Sequence, residues 1–407
     1  MLNDKTIVLG VTGSIACYKA ADLASKLTQA GARVDVVMTD SAVKFINPLT
    51  FRSITGRTVF TGMWDTFSAS GVDHIALAEA ADIVVIAPAT ANVIAELAAG
   101  MAGDNLTLTV LATHAPVVVA PAMHTGMWRN AITQENIARL TSRNFTFIAP
   151  GFGYLASGCT GEGRLADIDD IVGTIRQVLG RTGNLAGKKI VVTAGGTREP
   201  IDPVRFLGNR SSGKMGHAVA AAARDRGAQV VLITAPTALP ELAGVGTVHV
   251  QTAVEMKQAV AKAVTGADAL IMAAAVADFQ PQTTAAQKIK KTAAGGKMTL
   301  PLVATPDILT ETKGRFLKVG FAAETEDIVE NARGKMKNKQ LDLIVANDVT
   351  SPDSGFEVDT IRVSIIGPDS RTENLPLMTK KEVADRLMDR IAGMLSGKPK
   401  PPAGHKH

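Results

Sequence analysis

One pattern runs along nearly the whole chain: short apolar runs alternate with longer stretches that have helical spacing. In the first half the apolar runs read TIVLGV, ARVDVVM, DIVVIA, PVVVA and FTFIA. Helical spacing covers residues 15–29, 91–99 and 133–142, with Thr133 as the predicted N-cap of the last. Strands that alternate with helices pair in parallel, because the helix returns the chain to the same end of the sheet. The sequence therefore predicts an α/β fold.

The alternation lapses once, in the small and polar stretch GRTGNLAGK, and resumes at KIVVTAGGT. A chain of 407 residues is too long for one compact core. We therefore predict two Rossmann-like domains, residues 1–182 and 183–396, and a disordered basic tail, residues 397–407. The second domain continues with the strands QVVLIT, TVHV, ALIMAA, FLKVGF and LDLIVA, a hairpin within FEVDTIRVSIIG, and the closing amphipathic helix KKEVADRLMDRIAGML.

Composition narrows the class of protein. The longest apolar stretch is interrupted by Pro88, Asn92 and Glu96, so we expect no membrane span. Two distant cysteines cannot form a disulfide framework, and the N-terminus lacks a signal-peptide pattern, which together predict a cytoplasmic location. The net charge of +5 is concentrated between residues 288 and 339, where aromatic residues for stacking on nucleic acid are scarce. An acidic small molecule such as a nucleoside triphosphate is the better prediction.

The turn after the first strand, GVTGSIACYK, places glycine and serine where a backbone can approach phosphate at a helix N-terminus. A second polar turn, APATAN, follows the third strand, and the carboxyl ends of parallel strands are the usual binding edge. The first turn reads GxxGS and not GxGxxG. The acidic residue near the end of the second strand, Asp40, lies one position beyond Thr39, so a nicotinamide dehydrogenase is not predicted.

These turns, with AAGMAGDNLTLT, PAMHTGMW and the glycine-rich GYLASGCTGEGRLAD, resemble the FMN-dependent cysteine decarboxylases. The resemblance implies a flavodoxin-like first domain in which FMN accepts a hydride from the carbon bearing sulfur, so that CO2 can leave, and then returns it. It also implies the residues that hold FMN. They are Gly13, Ser14, Ile15, Thr39, Pro88, Ala89, Thr90, Asn92, Asp104, Asn105 and Leu106.

The resemblance implies three catalytic side chains in this domain. His74 matches the family's histidine, a base or orienting group at the substrate thiol. His124 stands where the family has an asparagine that holds the substrate carboxylate. Ser157 stands where the family has a cysteine that donates the final proton, and a hydroxyl is too weak an acid for that step. We predict that Cys159, two residues further on, is the substitute acid; the alternative is that water or His124 donates the proton.

The stretch TAGGTREPIDPVRFLGNRSSGKMG opens the second half. Its glycines follow a strand, Arg205 and Arg210 supply planar bidentate donors, and SSGKMG begins a helix whose N-terminus favours an anion. With AAAVADF, KIKK, TPDIL, GFAAET and ANDV, this stretch closely resembles the phosphopantothenate-cysteine ligase domain of bifunctional bacterial enzymes. The resemblance implies that CTP and Mg2+ activate the carboxylate of phosphopantothenate as an acyl-cytidylate, which the amine of cysteine attacks.

In this domain the resemblance implies that Asn209 handles the acyl-cytidylate and that Lys288 is needed to form it, with Asp278 as the partner of Mg2+. Lysines and a metal ion suit a triphosphate, because they neutralise charge that develops at the attacked phosphorus. The implied contacts with CTP and phosphopantothenate are Arg205, Ala274, Asp278, Lys288, Pro306, Asp307, Ile308, Leu309, Phe321, Lys335 and Lys339.

The sequence thus predicts an enzyme of coenzyme A synthesis that joins cysteine to 4'-phosphopantothenate and decarboxylates the product to 4'-phosphopantetheine. One alternative keeps the ligase and makes the flavin domain an oligomer-forming module with altered chemistry, because of His124 and Ser157. Another, a flavoprotein regulator, is disfavoured by the intact ligase motifs. The resemblance also implies homo-oligomers, with trimers through the flavin domain, dimers through the ligase domain and a dodecamer as their combination. Nucleic-acid and membrane partners are not expected.

Overall fold

A computed structural model describes residues 2–64, 72–290, 298–324, 328–348, 358–368 and 372–397. The chain divides into two compact units, Met1–Leu179 and Gly180–His407. The domain boundary that the sequence predicts, between residues 182 and 183, stays a prediction. The predicted tail lies outside the described residues, apart from its first position.

A six-stranded sheet forms the centre of the first unit, in the order β3-β2-β1-β4-β5-β6, and all its strand pairs are parallel. Apart from the short edge strand β3, this is the flavodoxin-like order, with a switch point between β1 and β4. The elements are β1 (Thr6–Val11), α1 (Cys17–Gln29), β2 (Arg33–Met38), α2 (Asp40–Val43), α3 (Pro48–Thr55), β3 (Val59–Phe60), α4 (Asp73–Ala80), β4 (Ile83–Ala89), α5 (Ala91–Ala99), α6 (Asn105–Ala112), β5 (Val117–Pro121), α7 (Thr125–Trp128), α8 (Ala131–Thr141), β6 (Thr146–Phe147), the hairpin β7 (Gly151–Tyr154) and β8 (Thr160–Arg164), and α9 (Ile168–Gly180).

The central strands read as unbroken apolar runs because helices cover both faces of the sheet. Alternate residues of β1 enter opposite cores, since successive side chains of a strand point to opposite faces. Ile7 and Leu9 pack with Leu23 of α1 on one face, whereas Val8 packs with Leu106 of α6 on the other. All six residues of β1 are buried.

An eight-stranded sheet forms the centre of the second unit, in the order β13-β12-β9-β14-β17-β18-β20-β21. Its first six strands are parallel in the doubly wound order, and the last two are antiparallel. The elements are β9 (Lys189–Ala194), β10 (Arg198–Pro200), β11 (Phe206–Gly208), α10 (Lys214–Arg224), β12 (Gln229–Thr234), β13 (Gly246–His249), α11 (Ala253–Ala263), β14 (Ala269–Met272), β15 (Phe279–Pro281), β16 (Leu302–Ala304), α12 (Ile308–Glu311), β17 (Leu317–Glu324), α13 (Ile328–Asn338), β18 (Leu343–Asp348), β19 (Thr360–Ile361), β20 (Val363–Ile366), β21 (Thr372–Asn374), β22 (Met378–Thr379) and α14 (Lys380–Ser396).

The α/β class, with parallel sheets in both halves and an added hairpin, is confirmed. Two local details differ from the prediction. The helix predicted from Thr133 begins at Ala131, and Asn130 is its N-cap, accepting the N–H of Ile132; Thr133 is buried instead. The hairpin pairs β20 with β21, whereas β19 pairs with β22, so in the described part of 356–367 the two alternating runs do not pair with each other.

None of the described helices is long and apolar enough to cross a membrane.

Candidate active sites

The first candidate site lies at the switch point of the first sheet, where the loops after β1 and β4 meet. Thr12 joins them: its hydroxyl donates to the carbonyl of Pro88 at 2.8 Å and accepts the N–H of Thr90 at 3.0 Å. A Cβ on Gly13 would lie 2.3 Å from the Cβ of Ser41, so only glycine lets the loops after β1 and β2 approach this closely. The predicted FMN segments around residues 13 and 90 are therefore brought together.

Four of the predicted polar side chains accept backbone N–H groups at helix starts in this region. Thr39, Thr90 and Asp104 are the N-caps of α2, α5 and α6, and Ser14 accepts the N–H of Ala16 at 3.3 Å just before α1. Neither α1 nor α5 carries an acidic residue in its first turn. The partial positive charge of these helix N-termini is thus available to an anion such as the phosphate of FMN.

The other predicted FMN residues have varied surroundings. Asn92 donates to Glu96 at 2.9 Å, and the buried Asn105 donates to the carbonyl of Gly62 at 2.7 Å. Leu106 is buried under β1 and lies against the position that a Cβ on Gly10 would occupy. Of the remaining predicted positions, Ile15 is 60% exposed, while Pro88 and Ala89 are buried at the end of β4. Close backbone approach, helix N-termini and an exposed apolar side chain at one sheet edge fit a flavin phosphate with its ring nearby.

The two predicted histidines both lie at helix starts. His74 is the second residue of α4 and is half-buried. His124 is the N-cap of α7, where its Nδ1 accepts the N–H of Gly126 at 3.1 Å. A ring nitrogen that accepts carries no proton, so the hydrogen of the neutral His124 ring is on Nε2. His124 therefore presents a donor, as the asparagine of the resembling family would.

The hairpin of β7 and β8 docks on the segment that carries His124. The N–H of Met123 donates to the carbonyl of Gly163 at 2.9 Å, and the hydroxyl of Thr125 donates to that of Glu162 at 2.6 Å. Gly163 has φ +131°, and a Cβ there would lie 2.0 Å from the carbonyl oxygen of Met123. The hairpin thus depends on glycine at this contact.

Ser157 and Cys159 both lie exposed in the turn of that hairpin, which the N–H of Leu155 closes by donating to the carbonyl of Cys159 at 2.8 Å. The chain's other cysteine, Cys17, is buried, and its thiol donates to the carbonyl of Thr12 at 3.0 Å. Burial raises the pKa of the Cys17 thiol. Cys159 is therefore the accessible thiol of this chain.

The second candidate site is a cleft of about 840 Å3 at the carboxyl ends of the parallel strands of the second sheet. Hydrogen bonds tie its walls together. Asn209 donates to the carbonyl of Val276 at 3.0 Å, and the hydroxyl of Thr193 accepts the N–H of Ala274 at 3.1 Å. Thr305 donates to the carbonyl of Ala277 at 2.5 Å. Ten of the predicted residues line this cleft: Asn209, Ala274, Asp278, Pro306, Asp307, Ile308, Leu309, Phe321, Lys335 and Lys339.

The cleft is cationic. Among the residues that the structure describes, its lining includes Arg210, Lys214, Lys335, Lys339 and Lys380 but only two carboxylates, Asp278 and Asp307. An excess of fixed positive charge in a concave site attracts a polyanion such as a triphosphate.

Two of these lysines are held by different contacts, one by an ion pair and one by a hydrogen bond to the backbone. Lys339 pairs with Asp307 at 3.1 Å. Burial raises the pKa of Asp307, but hydrogen bonds from Lys339 and Thr310 outweigh it, so the pKa lies below its usual value. Lys380 is 5% exposed and donates to the carbonyl of Val358 at 2.6 Å. Burial and the nearby charge of Lys214 lower the pKa of Lys380.

A magnesium ion fits this cleft only together with a bound triphosphate. No group of three or more histidine, cysteine or acidic side chains within the described ranges is placed to hold a metal. Asp278 is exposed at the cleft wall, and its carbonyl accepts the N–H of Thr305 at 3.0 Å. Mg2+ commonly takes one or two protein carboxylates together with substrate phosphates and water, which suits a site with Asp278 and a bound triphosphate.

Arg205 and Lys288, two of the predicted ligase residues, do not line the cleft. Arg205 forms an ion pair with Asp202 and donates to the carbonyl of Ile289 at 2.8 Å. Lys288, the residue before Ile289, is exposed. Their predicted substrate contacts stay predictions.

The polar residues of the cleft that were not named as site residues include Lys214, Asn347 and Lys380. Lys214 belongs to SSGKMG and Asn347 to ANDV, so each stood within a motif that was noticed. Lys380 follows the N-cap of the closing helix and carried no signal in the sequence, because a lysine on an amphipathic helix usually faces water.

Comparison with known proteins agrees with this two-unit arrangement. Residues 1–180 match the Flavoprotein family, and residues 185–395 match the DNA/pantothenate metabolism flavoprotein C-terminal domain. The coenzyme A biosynthesis bifunctional protein CoaBC of Bacillus subtilis is 45% identical over 400 residues, covering 97% of this chain and 98% of that protein. The protein of the same name from Mycobacterium tuberculosis is 43% identical over 411 residues, covering 97% of each chain.

A solved structure of the C-terminal domain of such a protein is also similar, with 40% identity and a TM-score of 0.46, covering 53% of this chain and 100% of that domain. The folds and the family matches define an α/β flavoprotein of two compact units, the second of which carries a cationic cleft. This chain belongs to the family of coenzyme A biosynthesis bifunctional proteins. The resemblance identified from the sequence motifs is thereby confirmed.

Proposed function

We propose that this chain catalyses two successive reactions of coenzyme A synthesis. The second unit joins cysteine to 4'-phosphopantothenate with CTP, and the first unit decarboxylates the product to 4'-phosphopantetheine with FMN. The observation that carries the proposal is the cationic cleft of the second unit, lined by ten of the residues that the sequence motifs predicted. Membership in a family of bifunctional proteins supports the pairing of the two reactions in one chain.

In the ligase reaction the carboxylate of phosphopantothenate attacks the α-phosphorus of CTP and pyrophosphate leaves. The amine of cysteine then attacks the acyl carbon, and CMP leaves. Lys335 and Lys339 lie on and just after α13 and would bind the triphosphate, whose charge they neutralise. Asn209, held by the carbonyl of Val276, would orient the acyl-cytidylate. Asp278 would hold Mg2+, which would supply further charge neutralisation when bound.

In the decarboxylation the bound FMN would supply a reversible electron sink, which a cysteine carboxylate lacks. The chain's own residues bind, orient and move protons. The loops that Thr12 joins would hold the cofactor, His74 would act at the substrate thiol, and the Nε2–H of His124 would bind the substrate carboxylate. Cys159 would donate the last proton from the exposed hairpin turn.

A second candidate keeps the ligase and assigns the first unit a binding or assembly role. It is favoured by the two departures at His124 and Ser157, because both fall at positions where the resembling family has catalytic side chains.

In either case we propose a homo-oligomer, with trimers through the first unit, dimers through the second and a dodecamer overall. Exposed apolar side chains support it: Tyr18 and Trp64 are 65% and 86% exposed, and Val204 is 60% exposed.

Mass spectrometry of the products separates the two candidates. The purified protein is mixed with phosphopantothenate, cysteine, CTP and Mg2+. We expect phosphopantetheine and CMP, which would establish both reactions. Phosphopantothenoylcysteine that accumulates without loss of CO2 would leave only the ligase, and the absence of both products would contradict the proposal.

A further inference from the structure

Asp202 has an unusual position for a carboxylate, because its side chain is wholly buried, 0% exposed. It belongs to the same stretch of sequence as Asn209 of the cleft. One oxygen, Oδ1, accepts the backbone N–H groups of Val204 and Arg205, each at 2.9 Å. The other, Oδ2, accepts Nε of Arg205 at 3.0 Å and the N–H of Ile289 at 3.2 Å. Oδ1 thus closes the local turn, and Oδ2 reaches a segment 87 positions away in the sequence.

The pair of Asp202 and Arg205 holds Ile289 at both of its backbone groups. Asp202 accepts the N–H of Ile289, and Nη2 of Arg205 donates to its carbonyl at 2.8 Å. Hydrogen bonds to charged groups are about twice as strong as neutral ones, and the planar guanidinium fixes their direction. The peptide groups on either side of Ile289 therefore have a defined place and orientation, and one of them is the peptide bond to Lys288.

Two further hydrogen bonds attach the same segment to the two residues before Asp202. The hydroxyl of Thr284 donates to the carbonyl of Pro200 at 3.1 Å, and the N–H of Ala285 donates to that of Ile201 at 3.0 Å. These contacts hold the start of the segment, whereas Asp202 and Arg205 hold its end, next to Lys288. Lys288 itself is exposed and does not line the cleft, so its reach toward a bound substrate depends on where the backbone holds it.

We propose that Asp202 is a positioning residue of the ligase reaction. It acts through Arg205 and Ile289 to hold Lys288 where this lysine can take part when the carboxylate of phosphopantothenate attacks CTP. This inference rests on the proposed function, because it needs Lys288 to take part in forming the acyl-cytidylate. The hydrogen bonds and the guanidinium also keep the pKa of Asp202 well below its usual range, so the carboxylate stays charged as the clamp requires.

The variant Asp202→Asn removes the clamp with little change in shape. Its amide oxygen can still accept the N–H groups of Val204 and Arg205, but its NH2 group then faces the donors of Arg205 and Ile289. The matched control is Asp225→Asn, because Asp225 is also a buried carboxylate paired with an arginine: Nη2 of Arg224 lies 2.6 Å from it, and the pair is at the far end of α10 from the cleft.

The readout is the first chemical step alone, pyrophosphate release in a single turnover of the full chain with phosphopantothenate, CTP and Mg2+ but without cysteine. We expect Asp202→Asn to slow this step on the order of 10²-fold, the effect of misplacing a reacting group by about 1 Å. The CTP concentration that gives half of the maximal single-turnover rate should change far less, and Asp225→Asn should keep the wild-type rate. A loss of rate shared equally by both variants would overturn the proposal in favour of general destabilisation.

A double-mutant cycle distinguishes action through Lys288 from an independent effect. In a Lys288→Ala background, Asp202→Asn should slow the residual rate by less than about threefold, because the residue that it positions is already gone. Equal factors in both backgrounds would overturn the positioning role. If Asp202→Asn does not fold, Asp202→Ser serves instead, since one hydroxyl can close the local turn but cannot also reach Ile289. A wild type that releases no pyrophosphate would refute the proposed function itself, and this inference with it.

Discussion

At the scale of single residues, Cys159 carries the clearest prediction about the chemistry of the first unit. It is exposed in the hairpin turn that also carries Ser157, and a thiol is a far better acid than a hydroxyl near neutral pH. We expect Cys159→Ser to lower the rate of phosphopantetheine formation at least tenfold while the ligase rate is unchanged, because general acid catalysis contributes about 10²- to 10⁴-fold.

The measurement for Cys159 is the formation of phosphopantetheine from phosphopantothenoylcysteine under single-turnover conditions, followed by mass spectrometry. CO2 release in the same experiment should stay near the wild-type rate, because CO2 leaves before the last proton is donated. Ser157→Ala is the control, since it changes a neighbouring exposed side chain of the same turn. Phosphopantetheine formation at the wild-type rate in Cys159→Ser would show that water or His124 donates the proton instead.

The pKa of Asp202 also allows a prediction of how the free energy of unfolding depends on pH. Its hydrogen bonds, above all those from Arg205, hold its pKa in the folded protein well below the unfolded value of about 3.9. A depressed carboxyl pKa stabilises the folded state above the unfolded pKa, and this contribution is lost as pH falls below it. The wild type should therefore unfold at higher urea than Asp202→Asn at pH 5 to 7, with the gap narrowing below about pH 4. A gap that stays constant into acid would contradict the ion pair.

Among the elements, α10 shows why glycine spacing matters to the ligase cleft. A Cβ on Gly216 would lie 2.5 Å from the Cβ of Ala194 and 2.7 Å from the carbonyl oxygen of Thr193, so α10 packs directly on β9. The same helix begins at Lys214 and contributes residues 214–216 to the cleft wall. Overpacking at Gly216 thus displaces both the helix and the site.

We expect Gly216→Ala to destabilise the protein by about 1–3 kcal/mol and to lower ligase activity, whereas flavin binding by the first unit should persist. Gly393→Ala in α14 is the matched control, because nothing lies within 4 Å of a Cβ there. That substitution should be neutral or should stabilise the helix by about 0.5–1 kcal/mol. Thermal unfolding followed by circular dichroism measures both, and equal stability of the two variants would contradict the close packing.

For the whole molecule, the main prediction concerns separability. Each unit has its own sheet with apolar clusters on both faces, and each matches its own family model. We expect residues 1–182 alone to purify with flavin absorbance and residues 183–407 alone to release pyrophosphate from CTP with phosphopantothenate. Failure of both pieces to fold, with an active full chain, would show that the predicted boundary cuts through an interdependent structure.

The sequence by itself determined the local and periodic features of this protein. The helix predicted over residues 91–99 is α5 without a change of bounds, and the closing helix begins at Lys380 as predicted, after a capping box of Thr379 and Glu382. Such features depend on neighbours three or four positions apart, so the sequence states them directly. The motifs likewise placed Asn209 and the residues after Thr305 at one site.

Only the tertiary structure decided which distant side chains meet. Lys214 pairs with Asp359, 145 positions away, and the buried Lys380 joins the same cleft from the last helix. Asp202 reaches Ile289 across 87 positions. Strand order and the routes of the loops fix these encounters, and both follow from packing of the whole sheet, which no local pattern encodes. The sequence could name the chemistry, but the carboxylate that would hold Lys288 in place emerged only from the folded chain.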